Sequence, residues 1–395
     1  MKLQLSERAQ QLTPSATLAI TAAAKAMKTR GLDVIGLGAG EPDFNTPQPI
    51  IDAAVRAAQA GFTKYTPSGG TAELKEAIAA KFQRENGLSY TPEQIVVTTG
   101  AKHALYNLFQ VLIDPGDEVV IPAPYWVSYV EQVKLAGGQP VIIDTTEADG
   151  FKVQPEQLEK AITDRTKLFL LNSPSNPTGA VYSRDELAAV GDVCLRHGIG
   201  IVSDEIYERL IYDGVEHTSI AAISDDLYAN TFVVNGVSKT YSMTGWRIGY
   251  AAGDAKVMKA MTSISSHSTS NPTSIAQYAA LAALSGSQDA VAQMKRAFVA
   301  RRDYVVERIN ELPGMRAATP QGAFYVFANV AEAIGASNGR YRDAGEWSQA
   351  LLEEAHVAVV PGAAFGAENY VRLSYATSLE QLQEAMVRIK RFLRK

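Results

Sequence analysis

Hydrophobic runs alternate with helix-length amphipathic stretches over most of the chain. From Gln94 onward, seven runs of consecutive apolar residues recur, at positions 95–97, 119–121, 141–143, 168–171, 198–202, 232–234 and 248–252. Such runs predict strands buried on both faces, as in a parallel sheet covered by helices. The stretch between residues 234 and 248 is too short for a crossover helix, so this pair is predicted to be antiparallel. The pattern therefore predicts an α/β fold with a mainly parallel seven-stranded sheet that contains one antiparallel strand.

Helical patterns and three further strands complete the organisation. Helices are predicted at 15–30, 47–60, 71–86, 101–113, 125–136, 184–196 and 288–311, and strands at 323–330, 357–361 and 370–376. The length of 395 residues is enough for about two domains with cores of their own. We therefore predict a large domain over residues 47–288. Residues 1–46 together with 289–395 are predicted to form a smaller α/β domain.

The composition of the chain argues against several classes of function. The net charge of −5, without a basic block, argues against nucleic-acid binding. The single cysteine, Cys194, lies in an apolar helical pattern, so a buried structural thiol in a reducing cytoplasm is expected. The five histidines lack metal-ligand spacing, and no metal site is predicted. No signal peptide and no membrane-spanning apolar run is recognised.

One lysine stands out by its surroundings. The stretch VVNGVSKTYSMTGWRIGY (233–250) places Lys239 in a polar loop directly after a strand, beside Ser238. Such a lysine can be desolvated, which lowers its pKa and frees a neutral amine to form a Schiff base. Arg247 is a permanent cation suited to a phosphate dianion. An imine-forming amine near a phosphate anchor is what pyridoxal phosphate needs. The alternative is a surface lysine on a turn.

Further candidates follow other strands, because ligands of α/β sheets bind beyond the carboxyl ends of the strands. The backbone N–H groups of Gly100, Ala101 and Lys102 could hold a phosphate at a helix N-terminus, although a purely structural glycine is common there. Trp126 could stack on an aromatic ring or pack into the core. Asn176 could donate a hydrogen bond to a ring substituent or lie in a plain turn.

Two charged residues in apolar surroundings and one tyrosine are three more candidates. Asp204 ends an apolar strand and needs a partner, which a protonated pyridine nitrogen would supply; a helix cap is the alternative. Tyr207 could donate to the phenolic oxygen of the same ring. Arg372 stands in the middle of a strand, where a charge is out of place unless a buried anion meets it. Together, all of these candidates supply a Schiff-base lysine, a ring-nitrogen partner, a ring-stacking group, a phosphate cradle and a carboxylate clamp.

With these motifs the chain resembles the fold-type-I, class I aminotransferases that use pyridoxal 5'-phosphate, and most closely their bacterial aspartate-specific subgroup. The resemblance spans nearly the whole chain, through AGEPDF (39–44), KYTPSGG (64–70), TTGAKHAL (98–105), PYWVSY (124–129), NSPSNPTG (172–179), VSDEIYE (202–208), SKTYSMTGWRIGY (238–250) and VRLSYATS (371–378). It implies transfer of the amino group of L-aspartate to 2-oxoglutarate with ping-pong kinetics.

The resemblance also implies a role for each matching residue. Lys239 would carry the cofactor and move the proton, while Asp204 would keep the pyridine nitrogen protonated. The remaining residues would contact the cofactor ring (Trp126, Asn176, Tyr207), bind the cofactor phosphate (Gly100, Ala101, Lys102, Ser238, Arg247) or bind the substrate α-carboxylate (Gly40, Arg372). Trp126 and Asn176 would also contact the substrate. Tyr65 of the partner subunit would join the phosphate ligands, in a homodimer with shared active sites.

Two positions of the sequence bear on substrate specificity. Segment 265–272 lacks the arginine with which the best-known aspartate enzymes bind the distal carboxylate, and the bacterial subgroup uses the lysine that matches Lys102. Relatives that accept prephenate often carry a lysine where this chain has Thr13, so prephenate activity is not expected. Two alternatives stay open: a ligand-sensing module, for which the chain has no spare DNA-binding segment, and a different pyridoxal-phosphate reaction such as β-elimination.

Overall fold

The computed structural model describes residues 3–394. The helices are α1 Glu7–Gln10, α2 Ala16–Thr29, α3 Gln48–Gln59, α4 Ala72–Asn86, α5 Ala101–Leu112, α6 Ser128–Leu135, α7 Pro155–Ala161, α8 Arg184–His197, α9 Asp225–Asn230, α10 Ala255–Ser268, α11 Ser274–Ser285, α12 Asp289–Asn310, α13 Ala331–Gly335, α14 Ala344–Ala355 and α15 Leu379–Phe392. The strands are β1 Ile35–Gly36, β2 Ile95–Thr98, β3 Glu118–Ala123, β4 Gln139–Asp144, β5 Thr166–Asn172, β6 Gly200–Asp204, β7 Thr231–Gly236, β8 Gly249–Ala252, β9 Tyr325–Asn329, β10 Val357–Ala358, β11 Val360–Pro361 and β12 Tyr370–Ser374.

A seven-stranded sheet forms the centre of the molecule. Its strand order is β2-β8-β7-β6-β5-β3-β4, and β8 runs antiparallel to both of its neighbours. The other neighbouring strands are parallel. The connection from β7 to β8 holds only a short 3-10 turn, Thr244–Trp246, which leaves no room for a crossover helix. The predicted mainly parallel seven-stranded sheet with one antiparallel strand is confirmed.

Both faces of this sheet are covered, which explains the continuous apolar runs. Val233 and Val234 are successive residues of β7 and point to opposite faces. Val233 packs in a cluster with Phe82 of α4, and Val234 packs in another with Leu105 of α5. Cys194 is fully buried in α8, and burial raises the pKa of its thiol to about 12, as expected of a structural cysteine.

Two smaller sheets lie elsewhere in the chain. Strands β11, β12 and β9 form an antiparallel sheet, and β1 pairs in parallel with β10. The predicted single strand at 357–361 is wrong in one respect: it is two short strands, β10 and β11, which join different sheets. The sequence pattern also missed β1, because two residues in a glycine-rich segment give no periodicity. The division into residues 47–288 and 1–46 with 289–395 stays a prediction.

No helix between residues 3 and 394 combines the length and the apolar character needed to cross a membrane.

Candidate active site

A cavity of about 260 Å³ lies beyond the carboxyl ends of the central strands. Asn172 ends β5, Asp204 ends β6, and Lys239 follows β7 after two intervening residues. Most of the predicted site residues line this cavity: Gly40, Ala101, Lys102, Trp126, Asn176, Asp204, Tyr207, Ser238, Lys239, Arg247 and Arg372. A second, larger cavity of about 690 Å³ shares Lys102 and Arg247 with it and is also lined by Thr13 and Ser15. We call the first the inner cavity and the second the outer cavity.

Lys239 presents its amine to the inner cavity. Its Nζ donates a hydrogen bond to the backbone oxygen of Gly40 at 2.6 Å. Burial lowers the pKa of Lys239 to about 8, and the positive charges of Arg247 and Arg372 act in the same direction. A substantial part of this amine is therefore neutral at weakly alkaline pH. A neutral, tethered amine is the form that attacks a carbonyl group.

Asp204 is a buried carboxylate with a defined set of donors. The hydroxyl of Tyr129 donates to Oδ2 at 2.7 Å, and the backbone N–H of Ile206 donates to Oδ1 at 3.2 Å. Burial raises the pKa of Asp204 to about 6, while these two hydrogen bonds oppose the increase. The helix-cap alternative is wrong, because residues 205–219 contain no helix. A carboxylate this deeply buried is stabilised by a cationic partner.

Arg372 is a buried cation without an anion. It is 1% exposed, and its Nη1 and Nη2 donate to Asn176 Oδ1 and to the backbone oxygen of Gly38, each at 2.8 Å. Its Nε is buried and has no hydrogen-bond partner, and within residues 3–394 no carboxylate pairs with it. Burial lowers the pKa of this guanidinium. An unpaired buried charge is costly, so this position fits an anionic ligand.

An anion site lies where α5 begins. Gly100 caps α5 with φ of +87°, a backbone conformation that favours glycine, and a Cβ atom there would collide with the guanidinium of Arg247. Arg247 is fixed by hydrogen bonds from Nη1 to the backbone oxygen of Thr244 (2.7 Å) and from Nη2 to that of Thr99 (3.4 Å). Ser238 is buried and lines the same cavity. The N–H of Gly100 already donates to the backbone oxygen of Thr98 at 2.8 Å, which leaves the N–H groups of Ala101 and Lys102 at this helix N-terminus. Together with a hydroxyl and a guanidinium they suit a phosphate.

Tyrosines and a tryptophan form another part of the wall. The Tyr207 and Tyr325 hydroxyls are 2.8 Å apart, and burial raises the pKa of Tyr207 well above its usual value. Trp126 packs against the core cluster around α5 and also lines the cavity, so both interpretations of this residue hold. The Lys102 ammonium lies 4.8 Å from the centre of the Trp126 ring. Burial and the neighbouring Arg247 lower the pKa of Lys102.

Sequence reasoning missed several residues of the cavity. Tyr129 stands in the motif PYWVSY, three residues after Trp126, and this proximity was its only signal. Tyr325 reaches the cavity from β9, and nothing in the local sequence distinguishes it from a core residue. Thr17 of α2 also lines the cavity, with a buried hydroxyl that has no partner. In contrast, the predicted Tyr65 is 90% exposed and does not line the inner cavity within its own chain.

An amine of lowered pKa, a buried carboxylate and two arginines thus surround one cavity at the carboxyl edge of an α/β sheet. Such a set defines an enzyme that works through an amine nucleophile and holds anionic groups on either side of it.

Comparison with known proteins identifies the family. Residues 32–389 match the family "Aminotransferase class I and II". The aspartate aminotransferase of Bacillus subtilis is 59% identical over 393 residues, which is 100% of both chains. Two solved aspartate aminotransferases have the same fold: that of Rhizobium meliloti, with a TM-score of 0.96, 46% identity and coverage of 100% and 99%, and that of Thermus thermophilus with maleate, with a TM-score of 0.93, 47% identity and coverage of 99% and 100%.

The chain belongs to the class I and II aminotransferase family. It is therefore an aminotransferase, and the enzyme class expected from its sequence motifs is confirmed.

Proposed function

We propose that this enzyme is a pyridoxal 5'-phosphate-dependent aspartate aminotransferase that passes the amino group of L-aspartate to 2-oxoglutarate. The observation that carries the proposal is the buried, anion-free guanidinium of Arg372 in the same cavity as the Lys239 amine. An amino acid brings a carboxylate to Arg372 while its reacting α-carbon lies within reach of an amine. The names of the similar proteins from Bacillus, Rhizobium and Thermus support this substrate.

The residues of the inner cavity fit the cofactor. The N-terminus of α5, Ser238 and Arg247 would hold its phosphate, and the missing Cβ of Gly100 lets the Arg247 guanidinium lie against this helix end. Asp204 would pair with the ring nitrogen, which gives the buried carboxylate the cationic partner it needs. Asn176 and Tyr207 would contact the ring oxygen, and Trp126 would cover the ring face. When bound, pyridoxal phosphate supplies an aldehyde that reacts with amines and a ring that accepts electron density.

The residues of the chain perform the remaining tasks. Arg372, held by Asn176 and Gly38, would bind the α-carboxylate and orient the α-carbon. The Lys239 amine would remove the proton from that carbon and return it in the second half-reaction, and its lowered pKa suits a base that works near neutral pH. Gly40 would lie next to the substrate, since its backbone oxygen accepts the Lys239 hydrogen bond. Two half-reactions at one site give ping-pong kinetics.

The distal carboxylate of aspartate would meet Lys102 and the unpaired Thr17 hydroxyl. Lys102 faces both cavities, so a substrate that enters through the outer cavity passes it before reaching Arg372. Thr17 offers a buried hydroxyl with no hydrogen-bond partner among residues 3–394. The Thermus structure with maleate, a dicarboxylate, supports acidic substrates for an enzyme of this type.

We further propose a cytoplasmic homodimer with two domains in each subunit, residues 47–288 and residues 1–46 with 289–395. Tyr65 is 90% exposed in a single chain, and in the dimer it would reach the cofactor phosphate of the other subunit. Phe62, in the same loop, is 47% exposed, and such an apolar side chain beside Tyr65 suits a subunit contact.

The direct test is to incubate the purified, cofactor-loaded protein with aspartate and 2-oxoglutarate and to measure oxaloacetate and glutamate. We expect equimolar formation of both products. Pyruvate and ammonia would indicate β-elimination instead. Tight ligand binding with no turnover of any amino acid would favour the sensing module.

A further inference from the structure

The turn after β6 carries buried charged groups on both of its sides. Asp204 and Tyr207 face the inner cavity. The intervening Glu205 and the following Glu208 do not line it, yet they are 1% and 7% exposed. Five consecutive residues therefore contain three buried carboxylates, and two of them have no part in the proposed reaction. Buried carboxylates need partners of their own.

Glu205 and Glu208 are held by groups from three other segments. Glu205 accepts hydrogen bonds from Ser203 Oγ (2.9 Å), Ser219 Oγ (2.7 Å) and His217 Nε2 (3.0 Å). Glu208 forms an ion pair with Lys81 of α4 and accepts from Asn86 Nδ2 at 3.0 Å. The His217 ring also lies 4.0 Å from the Glu208 carboxylate. These contacts connect the turn to α4 and to the loop that precedes the 3-10 helix Ile220–Ala222.

The ligand atoms of Glu205, Glu208 and His217 lie within 4.8 Å of one another, a grouping that the scattered histidines did not predict. A metal ion could in principle hold such a set together. Here, however, the Lys81 ammonium contacts Glu208 and is itself 2% exposed. The chain itself can thus supply the cationic charge that two carboxylates require, from Lys81 and from His217 when that ring is protonated.

We propose that Lys81, Glu205, Glu208 and a protonated His217 form a charge-neutral buried network that positions the turn carrying Asp204 and Tyr207. With His217 protonated, two negative and two positive charges balance. With His217 neutral, one buried negative charge is left without compensation. His217 is the variable member, because histidine is the side chain whose charge ordinarily changes near neutral pH.

The Nε2 of His217 faces both carboxylates, 3.0 Å from Glu205 and 4.0 Å from Glu208, while its Nδ1 is buried without a hydrogen-bond partner within residues 3–394. Glu205 and Glu208 raise the pKa of His217, although burial and Lys81 oppose the increase. The other ionisable groups near the network are Asp204, Tyr90, Tyr241, Tyr250 and the ion pair of Glu85 with Arg209. The tyrosines stay neutral because burial raises their pKa, and the Glu85–Arg209 pair is neutral overall. The charge balance of the network therefore depends on His217.

The network also reaches Asp204 directly. The negative charge of Glu205 raises the pKa of the adjacent Asp204. The backbone N–H of Glu205 donates to Val234 of β7 at 2.9 Å, so a displaced Glu205 would move the end of β6 relative to β7. A change of charge at His217 is thus transmitted to the carboxylate proposed to hold the cofactor ring.

This inference rests on the proposed function, and the test uses cofactor affinity so that the two can fail separately. Pyridoxal phosphate is titrated into the cofactor-free, full-length protein, and the dissociation constant is compared between the native enzyme and His217→Gln. Glutamine keeps an N–H donor but carries no charge. We expect the affinity to fall about tenfold, the size of one charged hydrogen bond. The matched control is His197→Gln, since His197 also pairs with a glutamate, Glu159, but on the half-exposed end of α8.

Two measurements distinguish an effect of the network's charge balance from an effect of side-chain packing around His217. In Glu205→Gln/His217→Gln the network is again neutral, and the affinity should return to within about threefold of the native value. The sign of the pH effect follows from the raised pKa of His217. Its charge is present below the ordinary histidine pKa and is lost as pH rises through the raised value, so the ratio between native enzyme and His217→Gln should shrink at high pH.

An affinity ratio that is independent of pH, or a double variant no better than the single one, would overturn the inference. So would stoichiometric metal in the purified native enzyme that is missing from His217→Gln. If the native enzyme and His197→Gln both fail to bind pyridoxal phosphate, the proposed function fails instead. Should His217→Gln not fold, nuclear magnetic resonance of the native enzyme with labelled histidines decides: a His217 ring that is neutral at pH 7 contradicts the network.

Discussion

The inner and outer cavities of this enzyme differ in how firmly their polar residues are held. In the inner cavity Asp204, Asn176 and Arg372 are each at most 5% exposed and are fixed by hydrogen bonds to one another, to Tyr129 or to the backbone. The outer cavity shares Lys102 with the inner one, and this side chain is exposed, while exposed Thr13 is held, within residues 3–394, by the single bond from its N–H to Glu131 at 3.0 Å. Burial and hydrogen bonds thus fix the groups of the proposed reaction, whereas the groups that would select the substrate can move more freely.

This difference predicts a steep gradient of mutational effects from the inner to the outer cavity. Substitutions inside should remove activity for every amino acid alike. Substitutions outside should change the preference among substrates and leave the reaction itself intact.

The largest effect is expected at Lys239. In Lys239→Ala turnover should fall by more than about 10⁴-fold, because the variant loses both the amine nucleophile and a base, and general acid–base catalysis alone can supply that factor. The cofactor should still bind noncovalently, through the other groups of the cavity. Single-turnover assays with aspartate and with phenylalanine measure the loss, and it should be equal for both. Residual activity near the native level would contradict the role of this residue.

The next effect is expected at Asp204. Loss of one preorganised charge costs about 10²–10³ in turnover, so Asp204→Asn should fall in that range. Because burial raises the pKa of Asp204 to about 6 in the cofactor-free protein, its carboxyl group becomes neutral below that pH. Affinity of the native enzyme for pyridoxal phosphate should therefore decline as pH falls through about 6. Asp204→Asn should lack this decline, and an identical pH profile in both proteins would be evidence against the ring-nitrogen partnership.

Much of this inner cavity could be predicted from sequence, for a physical reason. Strands buried on both faces have apolar runs, so polar residues at their ends, such as Asp204, and charges within them, such as Arg372, stand out. Lys239 and Arg247 lie within one short segment, and local sequence brings them together. The contact of Tyr129 with Asp204 joins residues 75 positions apart, and no local pattern reports it. The same holds for Lys81 and His217, which meet Glu208 only after folding.

A moderate and selective effect is expected at Lys102, which lines both cavities. A charged hydrogen bond to the distal carboxylate contributes about 1.5–3 kcal/mol, so Lys102→Ala should lower kcat/KM for aspartate by about tenfold to a hundredfold. Phenylalanine lacks that carboxylate and should lose far less. The backbone N–H at position 102 is kept, so cofactor affinity should hardly change. Equal losses for both amino acids would assign Lys102 to the cofactor phosphate and shift the distal contact to Thr13, Ser15, Thr17 or segment 265–272.

The smallest effect is expected at Tyr65. One hydrogen bond contributes about 0.5–1.5 kcal/mol, so Tyr65→Phe should weaken cofactor affinity about two- to tenfold. In a dimer with shared sites, mixing Tyr65→Phe with Lys239→Ala creates one native site in each hybrid, and native affinity should return in that site. Sedimentation of the enzyme as a monomer at assay concentrations would rule out this arrangement.

The account depends most of all on Lys239 as the residue that carries the cofactor. The native protein is loaded with pyridoxal phosphate, treated with borohydride to make the lysine–cofactor bond permanent, digested and analysed by mass spectrometry. We predict that the phosphopyridoxyl group is found on the peptide that contains Lys239, and that aspartate added before the borohydride prevents the labelling. Attachment to another lysine, such as Lys102, or no attachment at all, would contradict the account.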